Sequence, residues 1–365
     1  MSRKNEPDEK IIGVDIFSGA GGLSLGAKLA GIDVRMAIEK DPYAAETYKQ
    51  NHPDTVMQNV DIRTVKTIDI EKDSTTLLFG GTPCQGFSTS NQKTRNKENP
   101  SNWLFQEFIR LAKQWQPDWI VFENVQGIIE TEKKYFLDII INAFKKAGYT
   151  CTWKILNASD FGVPQTRSRF FLIGSKHKKE IEFPNASLKQ KITVGQAFGD
   201  LPKLENGARE DELKYPHKAK ATYAKSLRGD LSSCTGHLVS KNSDFVVERY
   251  PYIPQGGNWE CIPESLMENY TDRSRCHTGI YYRLQEDTPS VTMGNYRKAM
   301  LVHPRENRGL SVREAARLQS FPDHYRFMGS IGFQQQQVGN AVPPLLAKAV
   351  FESITGRKIY CEPTY

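Results

Sequence analysis

The chain has no apolar run long enough to cross a bilayer, and stretches such as IIGVDIF stop far short of that length. Its start, MSRKNEPDEK, holds no apolar core, so no secretory signal is expected and the cytoplasm is the expected home. Cysteine is scarce: six in 365 residues, at positions 84, 151, 234, 261, 276 and 361, with no C-x-x-C pair among them. Cys276 adjoins His277, but no second ligand pair follows at zinc spacing, so no metal is expected. Internal repeats are absent, and the only low-complexity tract is a short QQQQ at 334–337. Neither charge dominates. Forty-nine Lys and Arg stand against 42 Asp and Glu, which permits a polyanionic partner without demanding one.

What the chain does have is order in its first half. IIGVDIF, VRMAIE, TTLLFGG, DWIVFE, CTWKILNA and RFFLIGS read as strands, and MQNVDI as a weaker one. GLSLGAKLAG, PYAAETYKQ, NWLFQEFIRLAKQW and KKYFLDIIINAFKKAG read as helices, the second opened by Pro42, the first and last closed by Gly31 and Gly148. Strands and helices alternating at this length imply an α/β fold with a parallel sheet covered on both faces. From about residue 180 to 300 the periodicity fades into turn signals, which marks a separate, smaller, loop-rich module. Lysines and arginines thicken at 176–179 and from Lys214 to Arg228, with tyrosines between them, as on a phosphate-tracking or a merely solvated face. Order returns at LSVREAARLQSF, where Ser311 and Glu314 form a capping box, and a last helix is expected from about Gln335. The expected division is a flexible start over 1–10, an α/β domain over 11–180, a loop-rich domain over 181–310, and a return segment over 311–365 whose last helix packs on the α/β domain.

DIFSGAGGLSLG joins the first strand to the first helix through a glycine turn, a place where a ligand can approach backbone at a helix N-terminus. The dinucleotide pattern G-x-G-x-x-G fits Gly19 and Gly21 but fails at Ser24. Glu39 ends the second strand, where a carboxylate can accept both ribose hydroxyls, and Asp61 ends the third strand-like run, within reach of an adenine amine. An adenosine-containing cofactor without a pyrophosphate is therefore favoured.

Cys84, in GGTPCQGFSTS, follows the fourth strand, and ligands of parallel α/β sheets sit beyond the strands' carboxyl ends. Glu123 ends the fifth strand, and Arg167 and Arg169 open RFFLIGS after a polar turn. A thiol, a carboxylate and two guanidiniums thus converge, and the guanidiniums favour the thiolate. DIFSGAGGLSLG, Glu39, Asp61–Ile62, GGTPCQGFS, ENV, QTRSR, REAARLQSFPD and QVGNAVPP stand in the order found in bacterial DNA cytosine-5 methyltransferases, and the chain resembles that family over nearly all but residues 180–287.

The resemblance implies a Rossmann-like methyltransferase sheet, a target-recognition domain in the patternless region, and S-adenosyl-L-methionine as cofactor. Phe17, Gly19, Gly21, Gly22 and Leu23 line the turn in that family, with Glu39 on the ribose, Asp61 and Ile62 at the adenine, and Asn340 and Val342 in the last contacting block. It implies that double-stranded DNA is the partner and that a target cytosine is swung out of the helix. Cys84 then adds to C6, Glu123 meets N3, Arg169 holds the O2 edge, Arg167 meets a phosphate or the thiolate, and the Thr82 carbonyl accepts from the exocyclic amine. Residues 90–102 are expected to close over the DNA, 249–259 and 270–277 to be the first candidates for base reading, and TPSVT at 288–292 to brace the recognition module. A monomer acting within a restriction-modification system, with a cognate endonuclease, or as an orphan enzyme is implied. Transfer RNA is the other substrate reading, and the C-F-T tripeptide of that branch is absent between 180 and 300. Regulators that lost the nucleophile or glutamate, and nicotinamide oxidoreductases, fit less well, since Cys84 and Glu123 are both present and position 24 is serine.

Overall fold

A computed structural model describes residues 10–83, 99–177, 181–185, 190–270, 279–294 and 296–356. Two compact units divide them. The first takes residues up to 157, then 168 to 185 and 346 onward; the second takes 158–167 and the residues described between 190 and 345.

The first unit is built on a seven-stranded sheet in the order β3-β2-β1-β4-β5-β7-β6. The strands are β1 (Ile11–Ile16), β2 (Asp33–Ile38), β3 (Val56–Gln58), β4 (Thr75–Gly81), β5 (Trp119–Val125), β6 (Thr150–Asn157) and β7 (Ser168–Ser175). Helices α1 (Gly22–Leu29), α2 (Pro42–Asn51), α3 (Phe105–Trp115) and α4 (Tyr135–Lys146) alternate with them. Strands β1 to β5 pair in parallel, whereas β7 runs antiparallel to both β5 and β6. The all-parallel expectation fails there because no crossover helix separates β6 from β7, and a chain that returns without one must run antiparallel.

The strand alternation sorts the core into two faces. Val14, Ile16, Leu78, Ile120 and Phe122 share one cluster with Phe105, Phe108 and Leu111 of α3 and Phe136, Ile140 and Phe144 of α4. The helical spacing of those aromatic and aliphatic residues places them on one stripe, and each such buried side chain stabilises the fold by about 1.5–3 kcal/mol. Phe79, one residue out of phase with Leu78, meets Phe351 edge-on at 5.0 Å on the other face.

The second unit has few regular ladders. Its compact core of Tyr250, Ile253, Ile262, Met267, Tyr281 and Val302 is surrounded by short turns whose carbonyls still need donors when buried. Buried arginines supply them, since a guanidinium offers five N–H groups in a fixed fork. Arg283 donates to the carbonyls of Tyr250, Ile253 and His303, and Arg313 to those of Thr235, Pro322 and Tyr325. Arg249, 1% exposed, donates to Leu266 O, Asn269 Oδ1 and Tyr281 Oη, which fastens it in the core of the 249–259 stretch proposed to read bases. Arg317 holds Asp200 and Asp323, and Arg308 holds Glu314, whose carboxyl is thereby kept well below its ordinary range, at about 2.

Helix α5 (Val312–Leu318) opens on the expected capping box, Ser311 accepting from Glu314 N and Glu314 from Ser311 N. The single last helix expected from Gln335 is two, α6 (Ile331–Asn340) and α7 (Pro344–Thr355). Pro343 lacks the N–H to continue a helix, and Pro344 suits a first turn. Residues 288–292 are tied to two other segments: Ser290 O accepts from Thr166 N, Ser290 N donates to Pro164 O, and Thr288 O accepts from Val194 N.

Candidate active site

Within the first unit, the turn after β1 is shaped by backbone that side chains normally avoid. Phe17 has φ 59°, and Gly19 and Gly21 have φ 54° and 90°. A non-glycine residue held there costs on the order of 1 kcal/mol or more, and such strain gathers at functional turns. Gly19 N donates to Glu39 Oε2 at 2.8 Å, and Gly21 N donates to Ser18 O at 3.0 Å. A second amide, Asp41 N, donates to Glu39 Oε1 at 2.7 Å. The turn's amides therefore meet a carboxylate and a carbonyl, an arrangement that suits hydroxyl donors and repels a phosphate. Burial raises the Glu39 carboxyl's pKa, against the pull of these backbone donors. Gly22 and Leu23 are buried in the first turn of α1.

Beneath the turn runs a buried chain that sequence reading missed. Tyr48 Oη donates to Ser24 Oγ at 2.6 Å, and Ser24 Oγ donates to Asp15 Oδ2 at 2.7 Å. Helix α1 has Gly21 as its N-cap and no side-chain cap, so Asp15 serves its first turn from the strand below, also accepting from Ser24 N. Burial holds the Asp15 carboxyl far above the ordinary carboxylate range. The signals were an aspartate inside an apolar strand and the serine that spoils the dinucleotide pattern.

Asp61 does not end a strand. β3 stops at Gln58, and Asp61 instead caps a short turn over Ile62–Thr64. Arg63 and Lys40 both pair with it and depress its pKa strongly, while Ile62 beside it is buried.

The carboxyl ends of β4 and β5 lie side by side, with Gly81 opposite Glu123. Glu123 is followed by two more strand residues, and β7 brings Arg169 opposite Val125. Arg169 Nε then reaches Glu123 Oε1 at 3.1 Å, both side chains about one-tenth exposed. Asn124, the middle of ENV, donates to Thr82 Oγ1 at 2.9 Å and Thr82 O at 3.2 Å. It thereby ties down Thr82, the first residue beyond β4 on the way to position 84. An asparagine inside a strand was the available signal. The carbonyl of Thr82 keeps a second lone pair for another donor. Cys84, and residues 84–98 of the proposed closing loop, lie outside the described residues, as do residues 271–278.

In the second unit, Arg167 is 1% exposed and donates to the carbonyls of Met293, Gly339 and Ala341. Three backbone acceptors in a dry setting hold the guanidinium, while the expected contact with a phosphate or the thiolate involves groups outside the described residues. Asn340 ends α6 and is exposed; Val342 is buried just before the two prolines. Arg167 and Gln319 share Ala341 O, which fixes the break between α6 and α7.

Comparison with known proteins agrees with this geometry. The family model for C-5 cytosine-specific DNA methylases matches residues 11–356. Type II methyltransferase M1.HphI of Haemophilus parahaemolyticus is 39% identical over 347 residues, covering 93% of this chain and 86% of that protein. Type II methyltransferase M.DdeI of Desulfomicrobium norvegicum is 34% identical over 366 residues, covering 94% and 88%. Among solved structures, a putative DNA modification methyltransferase encoded within a prophage of E. coli superposes with TM-score 0.77 at 26% identity, covering 95% of this chain and 99% of that one. With a match across almost its whole length, the chain belongs to the C-5 cytosine-specific DNA methylase family.

Proposed function

We propose that the protein methylates C5 of a cytosine extruded from double-stranded DNA at a short specific sequence. The reading rests on the Glu123–Arg169 ion pair, set one strand from the segment that delivers residue 84. C5 of cytosine is too weak a nucleophile to take a methyl group unaided. Addition of the Cys84 thiolate to C6 turns C5 into an enamine-type carbon. Glu123 hydrogen-bonds or protonates N3 and takes up the negative charge that develops in the ring, and Arg169 meets the O2 edge while holding Glu123 in place. Thr82 O accepts from the exocyclic amine. Departure of the C5 proton releases the thiolate. Arg167 meets a phosphate or the thiolate in this reading.

The turn fits S-adenosyl-L-methionine, which brings a ribose and a sulfonium but no phosphate. When bound, it supplies the electrophilic methyl group. Glu39 takes the ribose hydroxyls, Phe17, Gly19, Gly21, Gly22 and Leu23 form the floor, and Asp61 and Ile62 flank the adenine. Asn340 and Val342 complete the set in this reading. Residues 181–310 supply target recognition, and the exposed Lys214, Lys218, Lys220 and Lys225 suit phosphates. The protein acts as a monomer in the cytoplasm, alongside a cognate endonuclease or as an orphan. No helix among the described residues is long and apolar enough to cross a membrane.

The test is expression in a host without cytosine methylation, followed by bisulfite sequencing of a resident plasmid. Protected cytosines in one sequence context support the reading. Methyl transfer to transfer RNA with none to duplex DNA overturns it.

A further inference from the structure

We propose that Gly81 is a positioning residue for the Glu123 carboxylate; the inference rests on the role given to Glu123 above. Gly81 is the last residue of β4 and pairs with Glu123 across the sheet. A Cβ on Gly81 would lie 2.4 Å from Glu123 Oε2, and its next neighbour outside that side chain, Leu23 Cδ1, is at an ordinary 4.0 Å. One carboxylate oxygen thus rests against the bare Cα of Gly81, while Arg169 holds the other at 3.1 Å. The two constraints together fix where the carboxylate sits, and the side chain is only 8% exposed, so it has little free room to retreat.

The neighbouring glycine has a different task. A Cβ on Gly80 would lie 1.9 Å from the backbone oxygen of Ile16, an atom of β1 that cannot swing away. Gly80 is needed for strand packing. At Gly81 the obstacle is the far end of a flexible side chain, and the backbone is not in the left-handed region. Alanine there is compatible with the strand and displaces the carboxylate alone. A displacement of about 1 Å at a reacting group costs roughly 10²-fold in rate.

The experiment is a cycle of Gly81→Ala, Glu123→Ala and the double variant. Single-turnover transfer of labelled methyl to plasmid DNA from a methylation-free host is measured, with melting temperature and affinity for S-adenosyl-L-homocysteine alongside. The expected result is a folded Gly81→Ala protein with unchanged cofactor affinity and a rate about 10²-fold lower. In the Glu123→Ala background, Gly81→Ala should cause no further loss, because the side chain it displaces is gone. Glu123→Asp, a shorter carboxylate, should restore part of the rate to Gly81→Ala. A Gly81→Ala enzyme at full rate beside a slow Glu123→Ala enzyme overturns the inference. So do additive losses in the double variant, or failure of Gly81→Ala to fold. A Glu123→Ala enzyme at full rate instead removes the reading of Glu123 itself.

Discussion

The amide of Gly19 donates to Glu39 Oε2 at 2.8 Å, joining the turn after β1 to the end of β2. With Asp41 N on the other oxygen, Glu39 holds the turn in shape. Replacing it with alanine removes a charged acceptor from two backbone donors and, in the proposed reading, from the ribose. Charge-assisted hydrogen bonds contribute about 1.5–3 kcal/mol each, so affinity for S-adenosyl-L-homocysteine should fall by roughly 10- to 100-fold or more. Isothermal titration of Glu39→Ala checks this; unaltered affinity would place the cofactor elsewhere.

Ser24 is the hub of the buried chain from Tyr48 to Asp15. Ser24→Ala takes the hydroxyl bond from a buried phenol and from a buried carboxyl oxygen, a loss of about 1–3 kcal/mol. Tyr48→Phe removes the bond to Ser24 but leaves Ser24 bonded to Asp15, and should cost about 1 kcal/mol. Urea unfolding of the two variants orders them. Equal stability for Ser24→Ala and the parent would mean that Asp15 is satisfied in another way.

Two histidines set an acid limit. Burial, with Lys28 nearby, pushes His52 down to about 3, and burial, with Arg313 nearby, pushes His237 down to about 4. Glu314, Asp323 and Arg317 also face His237, the acids opposing the shift and the arginine adding to it. Both rings are neutral in the folded protein at pH values where the unfolded chain, with histidines near 6.5, already binds protons. The unfolded state holds more protons below that pH, so stability falls as pH drops from about 6.5 toward 4. Melting temperatures across that window should decline before carboxylates titrate, and His52→Asn should flatten the decline. A level profile between pH 6.5 and 5 contradicts the assignment.

The sequence made some features readable and hid others for physical reasons. The strand and helix alternation, the glycine turn and the Ser311–Glu314 box are local, written in spacing and capping chemistry, and the structure has them. The direction of β7 depends on what fails to cross between β6 and β7, which strand periodicity does not record. Asp61 read as a strand end because its neighbours are apolar, yet Arg63 two residues on draws it into a cap. The burial of Arg249, Arg283 and Arg313 was not legible, since burial of a guanidinium depends on carbonyls distant in sequence. Gly81 is silent by itself and gains meaning only when Glu123 lies across it.

The sulfur at position 84 decides the rest. The protein should be incubated with S-adenosyl-L-methionine and duplex DNA carrying 5-fluorocytosine at the target position, then digested and weighed by mass spectrometry. Fluorine cannot leave C5 as a proton does, so the enzyme should be trapped with a methylated base bound through the Cys84-containing peptide, and Cys84→Ser should form no adduct. Trapping through another residue, or methylation of ordinary DNA at full rate by Cys84→Ser, contradicts nucleophilic attack by this thiol.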